Sequence, residues 1–564
     1  MSEYYEIIRK HAVLNRLKHG KAEPKAIMGK VISEAPKAKK NIKPLMKEIK
    51  YVVESVNETP LEILQKYSPE RKKKKKKAES TLPELDEVKD DVILRFAPNP
   101  NGPATLGSAR GIIVNFELAE KYRGKFILRF DDTDPKTKKP LAEAYGWYLD
   151  DCEWLGAYPD EVIYASEKLS LYYEYGERLI NLNKAYICFC KRGEFKEYKD
   201  AKKICPHRNK KTKDNLKDWY DMMEGKYREG ECVLRIKTDM KHKDPAIRDW
   251  VAFRIVKGEH PRVGRRFIIW PTLDFESAIE DHVLGVTHII RGKDLIDSER
   301  RQKYIYDYFG WIYPKTKHWG RIKIDEFGKF STSKLKKGIE EGLYSGWDDP
   351  QIPTIMSLRK RGISKDAIRK AILDLNIGEN DINLSLKNIY AENRKILDSQ
   401  VNRYFFVADP IPLKVKSAPN MVVEIPLHPR YPNRGLRKYN LKKEKNKIMN
   451  FFISEEDAKN LKKGDELRLK SAFNLKITKA GDEKIEGEYL KKKKLEVPII
   501  HWVKDYVEAL MIKPDELVSG YIETACSDIR LDTVVQFERY GFARLDSRDT
   551  ASGETKHVFY YAHP

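Results

Sequence analysis

Cysteine is scarce in this sequence, and long apolar runs are absent. Six cysteines in 564 residues are too few for the disulfide framework of a small secreted domain. No run of about 18 apolar residues occurs, so no membrane-spanning helix is predicted, and the residues after Met1 lack the apolar core of a signal peptide. The GxGxxG and GxxxxGK fingerprints of dinucleotide and P-loop sites are also missing. These absences predict a cytoplasmic protein with no membrane partner.

The charge balance, in contrast, is strongly one-sided. Lys and Arg number 109 against 86 Asp and Glu, a net charge of +23. A surplus of this size favours a phosphate-rich partner such as a nucleic acid, although a solvated basic surface remains the alternative. The length predicts three to five domains.

The chain changes character several times along its length. Residues 1–80 have helical periodicity and end in a basic linker, Arg71 to Lys77. From Val92 to about residue 330, short apolar strands alternate with helical patterns, which is typical of a parallel sheet with crossover helices. Helical patterns follow to about residue 400. Beyond it come short strands and proline- and glycine-rich turns, as in β-barrels.

One strand-to-helix loop, "RFAPNPNGPATLGSARG" at residues 95–111, is unusually constrained. The fixed φ of Pro98, Pro100 and Pro103 holds it, and Gly102 is expected to adopt a conformation closed to other residues. A helix is predicted from Gly107 to about Tyr122, with its unpaired amides facing the loop. Such a helix start favours an anion.

Four motifs occur in a fixed order: this loop, "KFILRFDDTDP", "WPTLDFESAIEDHVLGVTHIIRGKDLIDSERRQ" and "GRIKIDEFGKFSTSKLKKGI". Their order and context resemble the class I glutamyl- and glutaminyl-tRNA synthetases, and the resemblance extends over residues 91–550. The C-terminal motifs "EIPLHPRYPNRGLRKY" and "VVQFERYGFARLD" resemble those of the archaeal glutamyl branch and of glutaminyl enzymes.

The resemblance implies a multidomain fold around an α/β Rossmann-type parallel sheet. We expect a helical N-terminal extension (1–80), two halves of the catalytic domain (91–182 and 269–340), an inserted α/β acceptor-end-binding domain (183–268), a helical stem-contact domain (341–400) and anticodon-binding β-barrels (401–564).

The implied activity is glutamate–tRNA ligase, with ATP and Mg²⁺. The family's His-Ile-Gly-His signature corresponds here to Thr105, Leu106, Gly107 and Ser108, so hydroxyls stand where histidines are usual. The second signature corresponds to "KFSTSK", with Lys329 and with Thr332 at the position of its second lysine. Thr105, Ser108 and Lys334 are the expected catalytic residues. Further ATP-binding residues are expected at Pro98, Asn99, Pro100, Gly102, Gly107, Ser331 and Ser333.

Glutamate recognition is expected from charge complementarity. By resemblance, Asp131 receives the substrate ammonium and Arg291 faces the side-chain carboxylate, while Arg95 ends a neighbouring strand. Glutaminyl enzymes lack the arginine at position 291, so Arg291 favours glutamate. Ser277 is also expected in this site, and Leu273 departs from the family's substrate-contacting tyrosine.

The inserted segment holds Cys188, Cys190, Cys205 and His207, a set that could close a tetrahedral zinc site. Packing cysteines and a surface histidine are the alternative. Cys152, Cys232 and Cys526 are isolated and predicted to pack.

The β region is rich in arginine and aromatic residues, which suits single-stranded RNA. Arg430, Arg434, Arg437 and Lys438 are the predicted tRNA-binding residues. The partner is expected to be tRNA(Glu), with tRNA(Gln) open, and the chain a monomer. Three alternatives remain: a glutaminyl enzyme, a noncatalytic tRNA-binding paralogue, and the shorter paralogue that glutamylates a modified base but lacks the barrels.

Overall fold

The computed structural model describes residues 4–35, 38, 41–60, 64, 82–88, 91–327, 331–375, 377–444, 447–491, 496–550 and 555–564. It divides into two compact units, Met1–Thr81 and Leu82–Pro564. The predicted basic linker, Arg71 to Lys77, lies outside the described residues. No helix among the described residues is long and apolar enough to cross a membrane.

The N-terminal unit contains three helices: α1 Tyr5–His19, α2 Pro24–Glu34 and α3 Ile42–Glu58. Two residues in this region of helical periodicity mark the helix boundaries. Gly20 ends α1 in the left-handed conformation (φ 79°), and Pro24 occupies the first turn of α2, where its missing N–H costs no hydrogen bond. Buried aliphatic residues such as Ile8, Ile27 and Ile49 join the three helices.

The second unit begins with a parallel sheet. Its first elements are β1 Ile93–Phe96, α4 Leu106–Tyr122, β2 Lys125–Phe130, α5 Ala144–Leu155, β3 Glu161–Tyr164 and α6 Leu169–Asn181. The strands pair in parallel in the order β1-β2-β3. Five of the six residues of β2 are buried, as expected for a strand covered by helices on both faces.

An antiparallel sheet interrupts this pattern. Its elements are β4 Ala185–Cys188, α7 Arg192–Asp200, α8 Thr212–Met223, β5 Val233–Ile236, β6 Val251–Ile255 and β7 Ile269–Pro271. The strand order is β4-β5-β6-β7. The sheet therefore continues slightly past residue 268, the predicted end of the insertion.

The chain then returns to the parallel sheet. The next elements are α9 Leu273–Val283, β8 His288–Gly292, α10 Ile296–Phe309, β9 Lys315–Trp319, β10 Ile322–Ile324 and α11 Thr332–Glu340. β8 pairs in parallel with β9, and the Thr287 amide donates to the Ile93 carbonyl (3.1 Å), so β8 lies beside β1. The carboxyl ends of β1, β2 and β8 thus open on one edge, where ligands bind in open α/β sheets.

A helical segment and two β regions complete the unit. The helical segment comprises α12 Ile355–Lys360, α13 Lys365–Leu373, β11 Ile382–Leu384 and α14 Leu386–Asp398. Ser364 is the N-cap of α13, and its Oγ accepts from the Ala367 amide (3.2 Å). Arg361 donates to the carbonyls of Tyr561 (3.1 Å) and Ala562 (2.7 Å), which fastens the C-terminus to these helices.

The C-terminal region forms two barrel-like sheets and a hairpin. Its elements are β12 Arg403–Tyr404, β13 Phe406–Ala408, β14 Pro410–Lys416, β15 Met421–Pro426, β16 Leu436–Leu441, β17 Ile448–Ser454, α15 Glu455–Lys459, β18 Glu466–Leu469, β19 Asn474–Lys479, β20 Ile485–Leu490, β21 Ile499–Ile500, β22 Tyr506–Ile512, β23 Leu517–Glu523, β24 Val534–Phe537, β25 Gly541–Asp549 and β26 Lys556–His563. The six-stranded order is β17-β14-β20-β19-β18-β21 and the seven-stranded order is β12-β24-β25-β26-β22-β23-β13, while β15 and β16 form the hairpin.

Candidate active site

The loop between β1 and α4 is tied to the end of β2. The Asp131 amide donates to the Pro98 carbonyl (3.0 Å), and the Leu141 amide donates to the Pro100 carbonyl (2.9 Å). Asn99 Nδ2 donates to the Asp131 carbonyl (3.1 Å), while its buried Oδ1 has no partner among the described residues. The proline-rich loop is therefore fixed before any ligand binds.

Gly102 in this loop does not adopt the conformation expected from the sequence. Its φ lies outside the left-handed region, so another residue type would be free of backbone strain there. A Cβ at this position would instead lie 2.5 Å from Thr332 Cγ2 and 2.9 Å from Trp347 Cη2. Close approach of other side chains, rather than a special φ, is the reason for glycine.

The start of α4 is capped by hydroxyls. Thr105 is the N-cap, and its Oγ1 accepts from the Ser108 amide (3.4 Å). Ser108 Oγ lies 3.5 Å from Thr105 Oγ1 and 3.4 Å from the Tyr148 hydroxyl on α5. Gly107 is exposed, and a Cβ there would meet no atom nearer than Thr105 Oγ1 at 3.5 Å. The first turn thus has open space beside Gly107.

The second signature begins α11. Ser331 is its N-cap and accepts from the Lys334 amide (3.4 Å). Ser331, Ser333 and Lys334 are all exposed. Lys329 lies outside the described residues. The contact at Gly102 brings this helix start against the first loop.

A buried network of alternating charges lies under the loop. Arg95 donates twice to Asp281, from Nε to Oδ1 and from Nη2 to Oδ2, both at 3.0 Å. Arg129 donates to Asp281 Oδ1 (2.7 Å), to Asp131 Oδ1 (2.7 Å) and to Ser277 Oγ (2.7 Å). Ser277 Oγ in turn donates to Asp131 Oδ2 (3.1 Å). Two arginines and two aspartates therefore balance one another.

The pKa of Asp281 reflects this pairing. Burial alone would raise it, but Arg95 and Arg129 lower the pKa to about 2. Two further carboxyls of α9, Glu276 and Glu280, form no ion pair among the described residues, and burial raises the pKa of each despite the opposing charge of Arg129. Thr133 donates to Glu276, and the Tyr172 hydroxyl donates to Glu280 (2.8 Å).

Arg291, at the end of β8, has different surroundings. It is 5% exposed, and it donates to two neutral oxygens: Gln302 Oε1 (3.1 Å) and the Tyr313 hydroxyl (3.0 Å). Its Nε is buried without a partner, and no carboxylate of the described residues lies within ion-pair distance. A buried arginine without a counter-charge is costly unless an anion binds.

Leu273 is the first residue of α9 and 41% exposed. It brings no polar group to the site, so it cannot make the hydroxyl contact with the substrate that a tyrosine at this position would make.

Family models match three consecutive parts of the chain. They describe the class I tRNA synthetases (E and Q): the catalytic domain matches residues 91–399, and two anti-codon binding domains match residues 401–495 and 499–546. This chain belongs to that family. The resemblance and the fold class expected from the sequence are thereby confirmed.

Individual relatives are similar over the whole chain. A glutamate–tRNA ligase of Archaeoglobus fulgidus is 51% identical, covering 99% of this chain and 100% of that protein. One of Methanosarcina barkeri is 48% identical, covering 100% and 99%. A solved glutamate tRNA ligase from Elizabethkingia meningosepticum, in complex with its amino acid, is 21% identical with a TM-score of 0.40, covering 56% of this chain and 71% of that chain.

The four candidate zinc ligands of this synthetase come together. Their sulfur and nitrogen atoms lie within 4.8 Å of one another. Cys188 Sγ and Cys205 Sγ are 3.9 Å apart, and Cys190 Sγ is 3.4 Å from His207 Nδ1. Tetrahedral zinc with Zn–S bonds of about 2.3 Å requires sulfurs about 3.8 Å apart. The donor set therefore fits zinc.

The predicted tRNA-binding residues of the synthetase differ in exposure. The Arg430 side chain is 76% exposed and lies 3.4 Å from Asp398, and Lys438 is 63% exposed beside Glu424 (2.7 Å). Arg434 donates to the carbonyls of Val401 (2.7 Å) and Ser399. Arg437 is 2% exposed and pairs with Glu523 and with Glu538 (3.2 Å). Its guanidinium therefore faces the protein interior.

Sequence reasoning missed several residues of the site. Arg129, Asp281, Gln302 and Tyr313 all contact predicted site residues. A signal existed for Asp281, because it follows Ser277 by four residues and thus shares its face of α9. Gln302 and Tyr313 offer no such signal, since nothing in their local pattern relates them to Arg291.

Proposed function

We propose that the chain is a glutamate–tRNA ligase using ATP with Mg²⁺. The observation that carries this is Arg291, a buried cation at the carboxyl edge of the sheet with an unpaired N–H and no carboxylate partner in the part of the chain that the structure describes. Glutamate carries two carboxylates and one ammonium, so it brings one net negative charge. Because Arg95, Arg129, Asp131 and Asp281 already balance, that charge matches Arg291. Glutamine has no charge to offer it.

The proposed reaction has two steps. An oxygen of the glutamate α-carboxylate attacks the α-phosphorus of ATP, the bond to the bridging oxygen breaks, and pyrophosphate leaves. A ribose hydroxyl at the tRNA 3′ end then attacks the acyl carbon of the adenylate, and AMP leaves. Mg²⁺ accompanies ATP and neutralises phosphate charge. The protein's part is to position the reactants and to stabilise the charge that grows on the phosphates.

The signature residues have distinct roles in this proposal. The hydroxyls of Thr105 and Ser108 donate to phosphate oxygens, and the open space beside Gly107 admits the nucleotide. Lys334 contributes the charge for the leaving pyrophosphate, supported by its exposure and by the position of α11 against the first loop. Pro98, Asn99 and Pro100 shape the nucleotide site, and Ser331 and Ser333 add donors.

The amino-acid roles follow the same logic. Arg291 binds the side-chain carboxylate. Asp131 binds the ammonium and Arg95 binds the α-carboxylate. Asp131 remains paired with Arg129, and Arg95 remains paired with Asp281. Ser277 fixes the Asp131 carboxylate through its 3.1 Å hydrogen bond.

For tRNA we propose the barrel-like region as the anticodon-binding surface, with tRNA(Glu) as substrate and a monomeric chain. Exposed Arg430 and Lys438 support direct phosphate contact. Buried Arg437 supports an indirect role, in which it holds the hairpin that carries Lys438. Affinity should fall steeply between about 50 and 200 mM salt as counterions are released.

Aminoacylation of purified tRNA(Glu) and tRNA(Gln) with labelled glutamate, and separately with labelled glutamine, tests the proposal. Glutamate alone should be attached. No product with either amino acid would favour a noncatalytic tRNA-binding protein, and glutamine alone would overturn the role of Arg291. Glutamate on tRNA(Gln) as well would define a nondiscriminating enzyme.

We also propose a structural zinc ion at Cys188, Cys190, Cys205 and His207. It would fasten the end of β4 to the segment after α7. Native mass spectrometry should find one zinc per chain, lost in Cys205→Ser and retained in the matched variant Cys232→Ser, whose buried cysteine lies outside the cluster. A zinc-free wild type purified without chelator would contradict this site.

A further inference from the structure

The loop between β1 and α4 lies against the start of α11 at Gly102, and the space around Gly102 is crowded. A Cβ there would be 2.5 Å from Thr332 Cγ2 and 2.9 Å from Trp347 Cη2, distances that real Cβ atoms essentially never show. The backbone at Gly102 has no positive φ, so this crowding is the reason that a side chain is excluded. Thr332 is the first residue of α11, the helix that carries Lys334.

Trp347 is held in place from the side of the first loop. The Leu106 amide donates to the Pro353 carbonyl (3.1 Å), and the Ile355 amide donates to the Ala104 carbonyl (2.9 Å). Thr354, which lies between these bonds, donates from Oγ1 to the Trp347 carbonyl (2.6 Å). The segment that bears Trp347 is thus bonded to the start of α4.

A buried aspartate stiffens the same segment. Asp349 accepts from the amide and hydroxyl of Ser345 (2.8 and 2.9 Å) and from the Gln351 amide (2.8 Å). The Trp347 ring also lies against Trp147 of α5, with centroids 6.3 Å apart. The ring therefore forms a fixed surface beside Gly102.

We propose that Gly102, Thr332 and Trp347 form a positioning contact that sets α11 against the phosphate loop, so that Lys334 and the start of α4 address the same triphosphate. Thr332, which the resemblance places at the second lysine of the signature, then acts through its methyl group and not through phosphate binding. This inference rests on the proposed function, because its effect on catalysis is exerted through ATP.

The contact makes a compensating pair of variants possible. Gly102→Ala adds the Cβ that collides with Thr332 Cγ2, and Thr332→Ser removes that methyl while keeping the hydroxyl. Glutamate-dependent ATP–pyrophosphate exchange measures kcat and KM for ATP. Displacement of α11 by about 1 Å should lower kcat/KM for ATP about 100-fold in Gly102→Ala.

The double variant decides between two reasons for the glycine. If the contact with α11 matters, kcat/KM for ATP should be roughly tenfold or more higher in Gly102→Ala/Thr332→Ser than in Gly102→Ala, after correction for Thr332→Ser alone. If glycine is needed because ATP lies against it, Thr332→Ser will restore nothing, and the proposal is overturned. Gly146→Ala is the matched control, since this exposed glycine has no atom within 4 Å of an added Cβ.

A readout independent of activity completes the test. Hydrogen exchange of the α11 amides should be faster in Gly102→Ala than in wild type and slower again in the double variant. If Gly102→Ala fails to fold, Trp347→Leu asks the same question from the other side: α11 should exchange faster and KM for ATP should rise. Unchanged exchange would refute the contact. An inactive wild type with these exchange differences would refute the proposed function alone.

Discussion

Two buried arginines of this protein, Arg291 and Arg437, are nearly equal in exposure and opposite in surroundings. Arg291 is 5% exposed and hydrogen-bonds a neutral amide and a neutral hydroxyl. Arg437 is 2% exposed and pairs with Glu523 and Glu538. The first has no carboxylate partner among the described residues, whereas the second has its charge paired inside the protein. Exposure alone therefore does not distinguish a buried arginine with a counter-charge from one without, but the partners do.

Removing the first arginine should have the largest effect on activity. Arg291→Met deletes the charge while Gln302 and Tyr313 remain bonded to each other (2.7 Å). Glutamate-dependent pyrophosphate exchange should fall by roughly 10⁴-fold, the scale seen when a polar recognition group is lost. The thermal unfolding midpoint should not fall. A variant with normal KM for glutamate would contradict the binding role.

Removing the second arginine should affect stability instead. Arg437→Met leaves Glu523 buried without its cation, and breaking a buried pair costs about 3–5 kcal/mol. Urea unfolding followed by tryptophan fluorescence should show an earlier transition for the barrel region, while KM for glutamate is unchanged. Should Arg437→Met weaken tRNA binding with no loss of stability, the comparison between the two arginines would fail.

Gly107 and Gly102 test the same distinction between a position that faces a ligand and one that faces the protein. Gly107→Ala meets no crowding from the protein, so its cost should appear in ATP use: kcat/KM for ATP falls roughly 10- to 100-fold. Unlike Gly102→Ala, it should not be rescued by Thr332→Ser. Full activity of Gly107→Ala would show that the nucleotide does not approach this residue.

The smallest expected effect concerns Asp151, a buried carboxylate of α5. Burial raises its pKa to about 7, although the Ala104 amide donates to it, and Oδ2 has no partner among the described residues. The folded state therefore keeps a proton that the unfolded chain releases above about pH 4, so stability falls as pH rises to about 7 and then levels off.

Asp151→Asn removes this titration. Relative to wild type, it should gain about 2–3 kcal/mol of unfolding free energy between pH 5 and pH 8. Urea unfolding at the two pH values measures the difference, with Asp150→Asn as a neighbouring control. If the difference in unfolding free energy between Asp151→Asn and wild type does not change with pH, Asp151 does not titrate in this pH range.

Much of the fold was predictable because its signals are local. The helix predicted from Gly107 to about Tyr122 begins one residue earlier, at Leu106, and β2 follows from a continuous apolar run. The N-terminal region was predicted as helical, but its division into three helices at Gly20 and near Pro24 was not.

The site was predictable in its motif residues and not in their partners. Arg95, Asp131 and Arg291 were named from strand ends and resemblance, and their roles stay predictions. Arg129 and Asp281 escaped because their importance depends on a network that joins β1, β2 and α9. The conformation expected at Gly102 was wrong, since its φ lies outside the left-handed region, and the crowding there comes from Thr332 and Trp347, more than 200 residues away in sequence.

By itself, the sequence determined the family, the parallel sheet and the C-terminal β region, because periodicity, turn chemistry and motif order are properties of neighbouring residues. Only the tertiary structure decided which charges are already paired, which buried arginine has no carboxylate partner among the described residues and which glycine lies against another loop. The physical reason is that burial and pairing are set by contacts between distant segments, and the same guanidinium or glycine acts differently according to what lies beside it.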